Sequence, residues 1–164
     1  MATITTDEVL DSRDIIDRKD ELLKDYVPMY NRHITTLDPE ADELDEIDAG
    51  DSEEFLQWLK DWSDNDEDGQ ELIALIELCE ECEGYSDWSY GETLIRDDYF
   101  TEYTQQMLED CGDIPKDFPS WIVIDWEETA DNLKIDYMEV SFIDRKSTRL
   151  NSSHVALSRM PSSA

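Results

Sequence analysis

The chain has 164 residues, with 44 Asp and Glu against 13 Lys and Arg, a formal net charge of −31 and a sequence pI near 4.1. A surface so charged repels phosphates and anionic headgroups, which makes nucleic acid and acidic membranes poor direct ligands and leaves basic partners and cations. The length is that of one domain with a usable core.

The charge is unevenly placed. Residues 146–164 carry no acid, three bases (Lys146, Arg149, Arg159) and six serines, whereas residues 1–145 hold all 44 acids and 10 bases, a net charge of −34. The wording of the end, RKSTRLNSSHVALSRMPSSA, resembles the peptide read from sequencing-adapter DNA at the end of a metagenomic open reading frame. Residues 146–164 are therefore expected to be a non-native disordered tail, so His154 and the Asn151-Ser152-Ser153 sequon are set aside; a genuine Ser-rich tail is the alternative. Residues 1–145 then form a single acidic domain, divided into a charged helix within 1–30, an acidic segment over 38–71 and a helical and strand part over 72–142.

Ile, Leu, Val and Phe make up about 23% of the chain, close to the composition of disordered acidic proteins. Five Trp, seven Tyr and four Phe at regular spacings favour a fold instead. The longest apolar run is the five residues Leu72 to Ile76, far short of a membrane span. The N-terminus MATITTDEV has neither a basic nor an apolar region of a secretory leader, and three cysteines suit a reducing compartment. These features predict a soluble, cytoplasmic protein.

From Thr6 to about Tyr26 the pairs Ile15/Leu22 and Ile16/Leu23 form a narrow apolar stripe on a charged helix. That stripe is suited to a second helix or a symmetry mate, with the helix ending before Pro28. Asp38 to Glu54 holds ten acids in seventeen residues and no base, and extending the window to Glu71 gives a net −15 over 34 residues. Within it Asp51 and Glu54 resemble a capping box opening FLQWLKDW, which places Phe55, Leu56, Leu59 and Trp62 on one face. Gln70 to Glu83 reads as a third helix stopping at Gly84, with Leu72, Leu75, Ile76 and Cys79 at helical spacing.

Thr93-Leu94-Ile95 is extended, and a fourth helix from near Asp97 to Gly112 turns Tyr99, Phe100, Tyr103, Met107 and Leu108 inward. Pro115 and Pro119 mark a loop. After the apolar Trp121 to Ile124, Asp125 and Glu128 open a helix carrying Trp126, Ala130 and Leu133. Met138 to Phe142 alternates as a strand. Its partner is either Thr93 to Ile95 or a strand lost where the tail begins. The whole is an α+β fold, mainly helical, with four to five helices and a small antiparallel strand element near the C-terminus.

Chemistry is sparsely supplied. Asp64, Asp66, Asp68 and Gly69 begin like a calcium loop, yet Leu75 stands where the bidentate carboxylate belongs, so an acidic interhelical turn with at most weak divalent binding is expected. Cys79-Glu80-Glu81-Cys82 has metal-ligand spacing, but only Cys111 and His33 could complete a site and the neighbouring glutamates raise thiol pKa, so core cysteine is the better reading. With His154 set aside, His33 as the one remaining histidine, no Gly-rich phosphate loop and few bases to hold a polyanion predict no enzyme and no cofactor.

The charge exceeds what solubility asks. A compact domain of this size is roughly 40 Å across, over which B-DNA carries about 23 negative charges, and solubility is met by a net charge of about 2 to 8. Carboxylates held on helices can stand in for phosphates and pair with the Lys and Arg of a DNA-binding cleft. The proposed surrogates are Asp38, Glu40, Asp42, Glu43, Asp45, Glu46, Asp48, Asp51, Glu53, Glu54, Asp61, Asp64, Asp66, Glu67 and Asp68, with Trp58, Trp62, Trp121 and Trp126 as scaffold.

Tyr85 to Phe142, especially GETLIRDDYFTEYTQQMLEDCGDIP and IDWEETADNLKIDYMEVSF, resembles the C-terminal part of ArdA-type antirestriction proteins and related small phage proteins. The resemblance implies an elongated, dimeric DNA mimic of a phage or mobile element that blocks type I restriction-modification enzymes. The N-terminal module of that family has no counterpart here. The implied partner is the basic DNA-binding cleft of a defence nuclease or methyltransferase complex, with a CRISPR effector as the alternative target, homodimerisation through the Ile15/Leu22 stripe, and no direct contact with nucleic acid or membrane. From another class, an acidic adaptor or calcium-binding protein remains.

Overall fold

The computed structural model of the chain describes residues 8–85, 87–115, 117–143 and 152–158. Among these residues are seven α-helices, α1 (Ser12–Leu37), α2 (Glu46–Gly50), α3 (Glu53–Trp62), α4 (Glu67–Cys82), α5 (Trp88–Gly91), α6 (Phe100–Cys111) and α7 (Trp126–Lys134). Four strands accompany them: β1 (Val9–Asp11), β2 (Thr93–Arg96), β3 (Tyr137–Ile143) and β4 (Ser152–Ser158). The class is α+β and mainly helical.

α4 is the central element. Its Leu72, Ile73, Ala74, Leu75, Ile76 and Leu78 are all buried, and a helix apolar on nearly every side must be covered on nearly every side. α1 and α3 pack on it, and β3 closes a further side. Ile15, Leu22, Leu23, Tyr26, Val27 and Tyr30 bring the stripe of α1 into this core. The stripe is therefore spent within one chain, and the basis for homodimerisation through Ile15 and Leu22 is removed.

Two boundaries of α1 differ from expectation. Val9–Asp11 is a strand, so the helix opens at Ser12 rather than Thr6, which lies outside the described residues. Asp11 caps it by accepting from the Arg13 backbone N–H at 2.8 Å, and its bidentate pairing with the Arg13 guanidinium at 2.8 and 2.9 Å helps pull the carboxyl from 3.8 down to about 2. At the other end the helix runs through Pro28 and stops at Leu37, before Asp38-Pro39. Proline removes the N–H that would bond the Lys24 carbonyl. Both residues lie on the exposed side of α1, where water reaches that carbonyl, while Val27 and Tyr30 on the buried side hold the helix straight on.

α3 is capped one residue later than the Asp51 reading: the Ser52 Oγ accepts from Phe55 N at 3.2 Å. Its Phe55 and Leu59 are fully buried, and Leu56 is half-buried. α4 begins at Glu67, three residues before the expected Gln70, because the Asp66 carboxylate caps it by accepting from Gly69 N at 2.9 Å. Gly69 is required by closeness, since a Cβ there would lie 2.7 Å from that of Ser63 at the end of α3. Gly84 shows no left-handed backbone, whereas Gly112, at φ 80°, closes α6 as expected.

The sheet order is β1-β2-β4-β3, antiparallel throughout. Neither expected partner of the 138–142 strand is what it pairs with: β4 lies between β2 and β3, opposing Leu157 to both Leu94 and Met138. Part of the segment expected to be a disordered tail, Ser152–Ser158, is thus a strand at the centre of the sheet; residues 146–151, with Asn151 of the sequon, and 159–164 lie outside the described residues.

Alternation along the strands gives the sheet two faces. Leu10, Leu94 and Val140 face the core of α1, α3 and α4, whereas Ile95, with Tyr137, faces Phe100 of α6 and Ala130 of α7. Helices therefore cover both sides. α5, unforeseen in the sequence, carries the buried Trp88, whose carbonyl accepts from the Ser12 Oγ at 2.6 Å. That hydroxyl also accepts from Glu92 N at 2.7 Å, locking the start of α1 to the entry of β2.

Burial, and secondarily the charge of Asp87, raises the Glu92 carboxyl above its ordinary 4.5. A carboxyl raised in the folded state means that the fold binds more protons than the unfolded chain, so stability from this group increases as pH falls through the folded value. Glu92→Gln is expected to raise Tm at pH 7, with the gain shrinking toward pH 4; melting curves at the two values check it, and an equal change at both would refute the assignment.

Candidate functional site on the acidic segment

The acidic segment runs from the end of α1 to the first turn of α4. Asp38 terminates α1, Glu40, Asp42 and Glu43 occupy the connection, and Asp45 caps α2 by accepting from the N–H groups of Ile47 and Asp48 at 2.9 and 2.8 Å. Glu46 and Asp48 lie on α2, Asp51 follows it, Glu53, Glu54 and Asp61 lie on α3, and Asp64 stands in the next turn. Of the fifteen acids proposed as phosphate surrogates, all but the half-buried Asp66 are exposed.

Exposure here does not mean looseness. The Asn31 side chain of α1 donates to the Leu44 carbonyl at 2.7 Å and accepts from Leu44 N at 3.0 Å, pinning the connection between α1 and α2. Ala49 anchors α2 and Phe55 and Leu59 anchor α3, each fully buried. The carboxylates are thus mounted on short elements whose opposite sides are held in the core. Among the described residues, no ion pair involves any acid from Asp38 to Glu54. Their charge is directed outward, unneutralised by ion pairs among the described residues.

Behind this surface stands an aromatic ladder between α1 and α3. Tyr30 meets Phe55 and Trp58 edge-on with ring centroids 5.4 Å away, Trp58 stacks on Trp62 at 5.9 Å, and Tyr26 meets Trp62 edge-on at 5.9 Å. Trp58 and Trp62 thus pack between α1 and α3, although Trp62 keeps 47% of its surface exposed. Trp121 does not: it is 80% exposed on the connection from α6 to α7, and Trp126 beside it is half-buried. Trp88, which was not among the four expected scaffold tryptophans, is buried in the core.

The calcium-like stretch is used structurally. The Asp66 carboxylate takes the Gly69 N–H and the Tyr26 hydroxyl, burial foremost and that contact next raising the Tyr26 phenol, and Asp68 lies 3.7 Å from the Arg18 guanidinium. Asp64, Asp66 and Asp68 do not converge, and among the described residues no group of three or more His, Cys, Asp or Glu is gathered as metal ligands would be. Cys82 is buried and Cys79 half-buried, and burial pushes the Cys82 thiol up to about 12 and raises that of Cys79; Cys111 is exposed. The raised thiols of Cys79 and Cys82 pack rather than react.

No family model, curated protein or solved structure matches the chain. Among the described residues, no helix is long and apolar enough to cross a membrane.

Proposed function

We propose that the protein is a non-enzymatic DNA mimic of a phage or mobile element, which inhibits a host restriction-modification enzyme by occupying its DNA-binding cleft. The observation that carries this reading is the run of exposed carboxylates from Asp38 to Glu54, held on capped elements and without ion-pair partners among the described residues. A solubility surface needs neither such density nor such fixing. Pairing with the Lys and Arg of a cleft would release its counterions as DNA does, so binding would be strongly salt-dependent. The resemblance of Tyr85 to Phe142 to ArdA-type proteins supports the same assignment.

Displacement tests it. Purified protein is expected to release labelled duplex DNA from a type I restriction-modification complex at low salt and to lose that ability as salt rises. Release from a CRISPR effector alone would move the target to that class, and failure against both would refute mimicry. Calorimetry with calcium addresses the adaptor reading: a stoichiometric micromolar event abolished by Asp64→Ala and Asp68→Ala would favour it instead.

A further inference from the structure

The layer on the other face of the sheet carries a second surface of opposite character. Between α6 and α7 the connection presents Trp121 at 80%, Ile122 at 39% and Val123 at 90% exposure, three consecutive large apolar side chains turned to solvent. Beside them is a groove of about 520 Å³ whose apolar wall includes Ile114, Phe118, Ile124 and Trp126. A contiguous patch of this kind is costly to leave in water and marks an interaction surface.

Its margin narrows the occupant. Glu109 lines the groove and Asp125 follows Ile124 directly, and both carboxylates are exposed. A second copy of the chain, at −31, would bring the same acidic margin against this one, and an anionic membrane would be repelled by it. A small molecule would be enclosed, whereas Trp121 lies outside the groove and Val123, on its wall, keeps 90% of its surface exposed. We propose that this surface docks an amphipathic segment of a partner protein, with an apolar face over Trp121 to Val123 and Lys or Arg at its edges meeting the carboxylates. The site is independent of the acidic segment over 38–68 and extends the interaction repertoire beyond charge.

The probe is a fluorescently labelled amphipathic Leu/Lys helical peptide, titrated by anisotropy at low and at 0.5 M salt. The comparison set is the full chain, the double variant Trp121→Ser/Val123→Ser, and a chain with Glu43, Glu46, Glu53 and Glu54 changed to Gln. High salt suppresses the purely electrostatic association that any cationic peptide has with so acidic a protein. At 0.5 M salt the double variant is expected to bind at least tenfold more weakly than the full chain, and the four-Gln chain to bind as the full chain does. Both substituted sites are exposed, and an unchanged circular dichroism spectrum and Tm confirm folding. Equal binding by the full chain and the double variant would overturn the proposal. So would Trp121-dependent dimerisation in sedimentation, or Trp121-dependent binding to phosphatidylcholine vesicles without binding to the peptide, which would assign the patch to a second copy or to a lipid surface.

Discussion

Replacing Arg18 by Ala is expected to destabilise the fold by about 3–5 kcal/mol, the range for removing one partner of a buried ion pair. The Arg18 guanidinium, 10% exposed, donates to the Glu71 carboxylate at 3.0 Å, and the Glu71 side chain is 1% exposed on the central helix α4. The same guanidinium holds Glu21 at 2.7 Å on the water side. Without it, Glu71 would remain charged among Leu72 and Leu75 with nothing opposite. Among the described residues its other oxygen, Oε1, has no hydrogen-bond partner, and neither has the Arg18 Nε, so the protein's own groups satisfy the pair incompletely.

That incompleteness leads to a second expectation. Arg18→Met with Glu71→Leu removes both charges and is expected to recover most or all of the loss, because the desolvation of two ions disappears with their attraction. Denaturant titrations at pH 7 read both. A loss below about 1 kcal/mol at pH 7 would mean that water reaches Glu71.

The second large effect concerns the acidic segment, where the structure separates acids that cap helices from acids that only face water. Asp45 and Asp66 are caps, and changing them confounds function with folding. Asp42, Glu43, Glu46, Asp48, Glu53 and Glu54 are exposed and accept no backbone cap bond. Converting these six to Asn or Gln is expected to leave Tm unchanged or slightly raised, since self-repulsion falls. If each faces a Lys or Arg of the target cleft, the log–log salt slope of DNA displacement should become shallower by about five. Affinity at low salt should drop by about three orders of magnitude. Displacement by the six-site variant equal to that of the full chain would place the contact elsewhere on the surface.

Local signals were legible where local physics decides. The period of Phe55, Leu56 and Leu59, the Asp125 cap with Glu128 N donating at 3.0 Å, the Gly112 stop and the alternation through Val140 each involve contacts within a few residues. The candidate surface was legible for the same reason, because a stretch of ten acids cannot be buried. Pro28 was misread because the cost of a missing N–H is local, whereas the burial of Tyr26, Val27 and Tyr30 that outweighs it depends on α3 and α4. Trp121 was misread because apolarity alone does not say which aromatic is covered.

Net charge, its concentration between residues 38 and 71, the class of fold and the positions of most helices followed from the sequence by itself. Side-chain type and spacing determine them through water and the chain's own backbone. Only the tertiary structure decided that the Ile15/Leu22 stripe is consumed inside one chain, that Ser152–Ser158 stands between β2 and β3, that the DxDxDG stretch caps a helix, and that Trp121 faces solvent. Each of these depends on which distant surface arrives to exclude water. No period or motif along the chain encodes that.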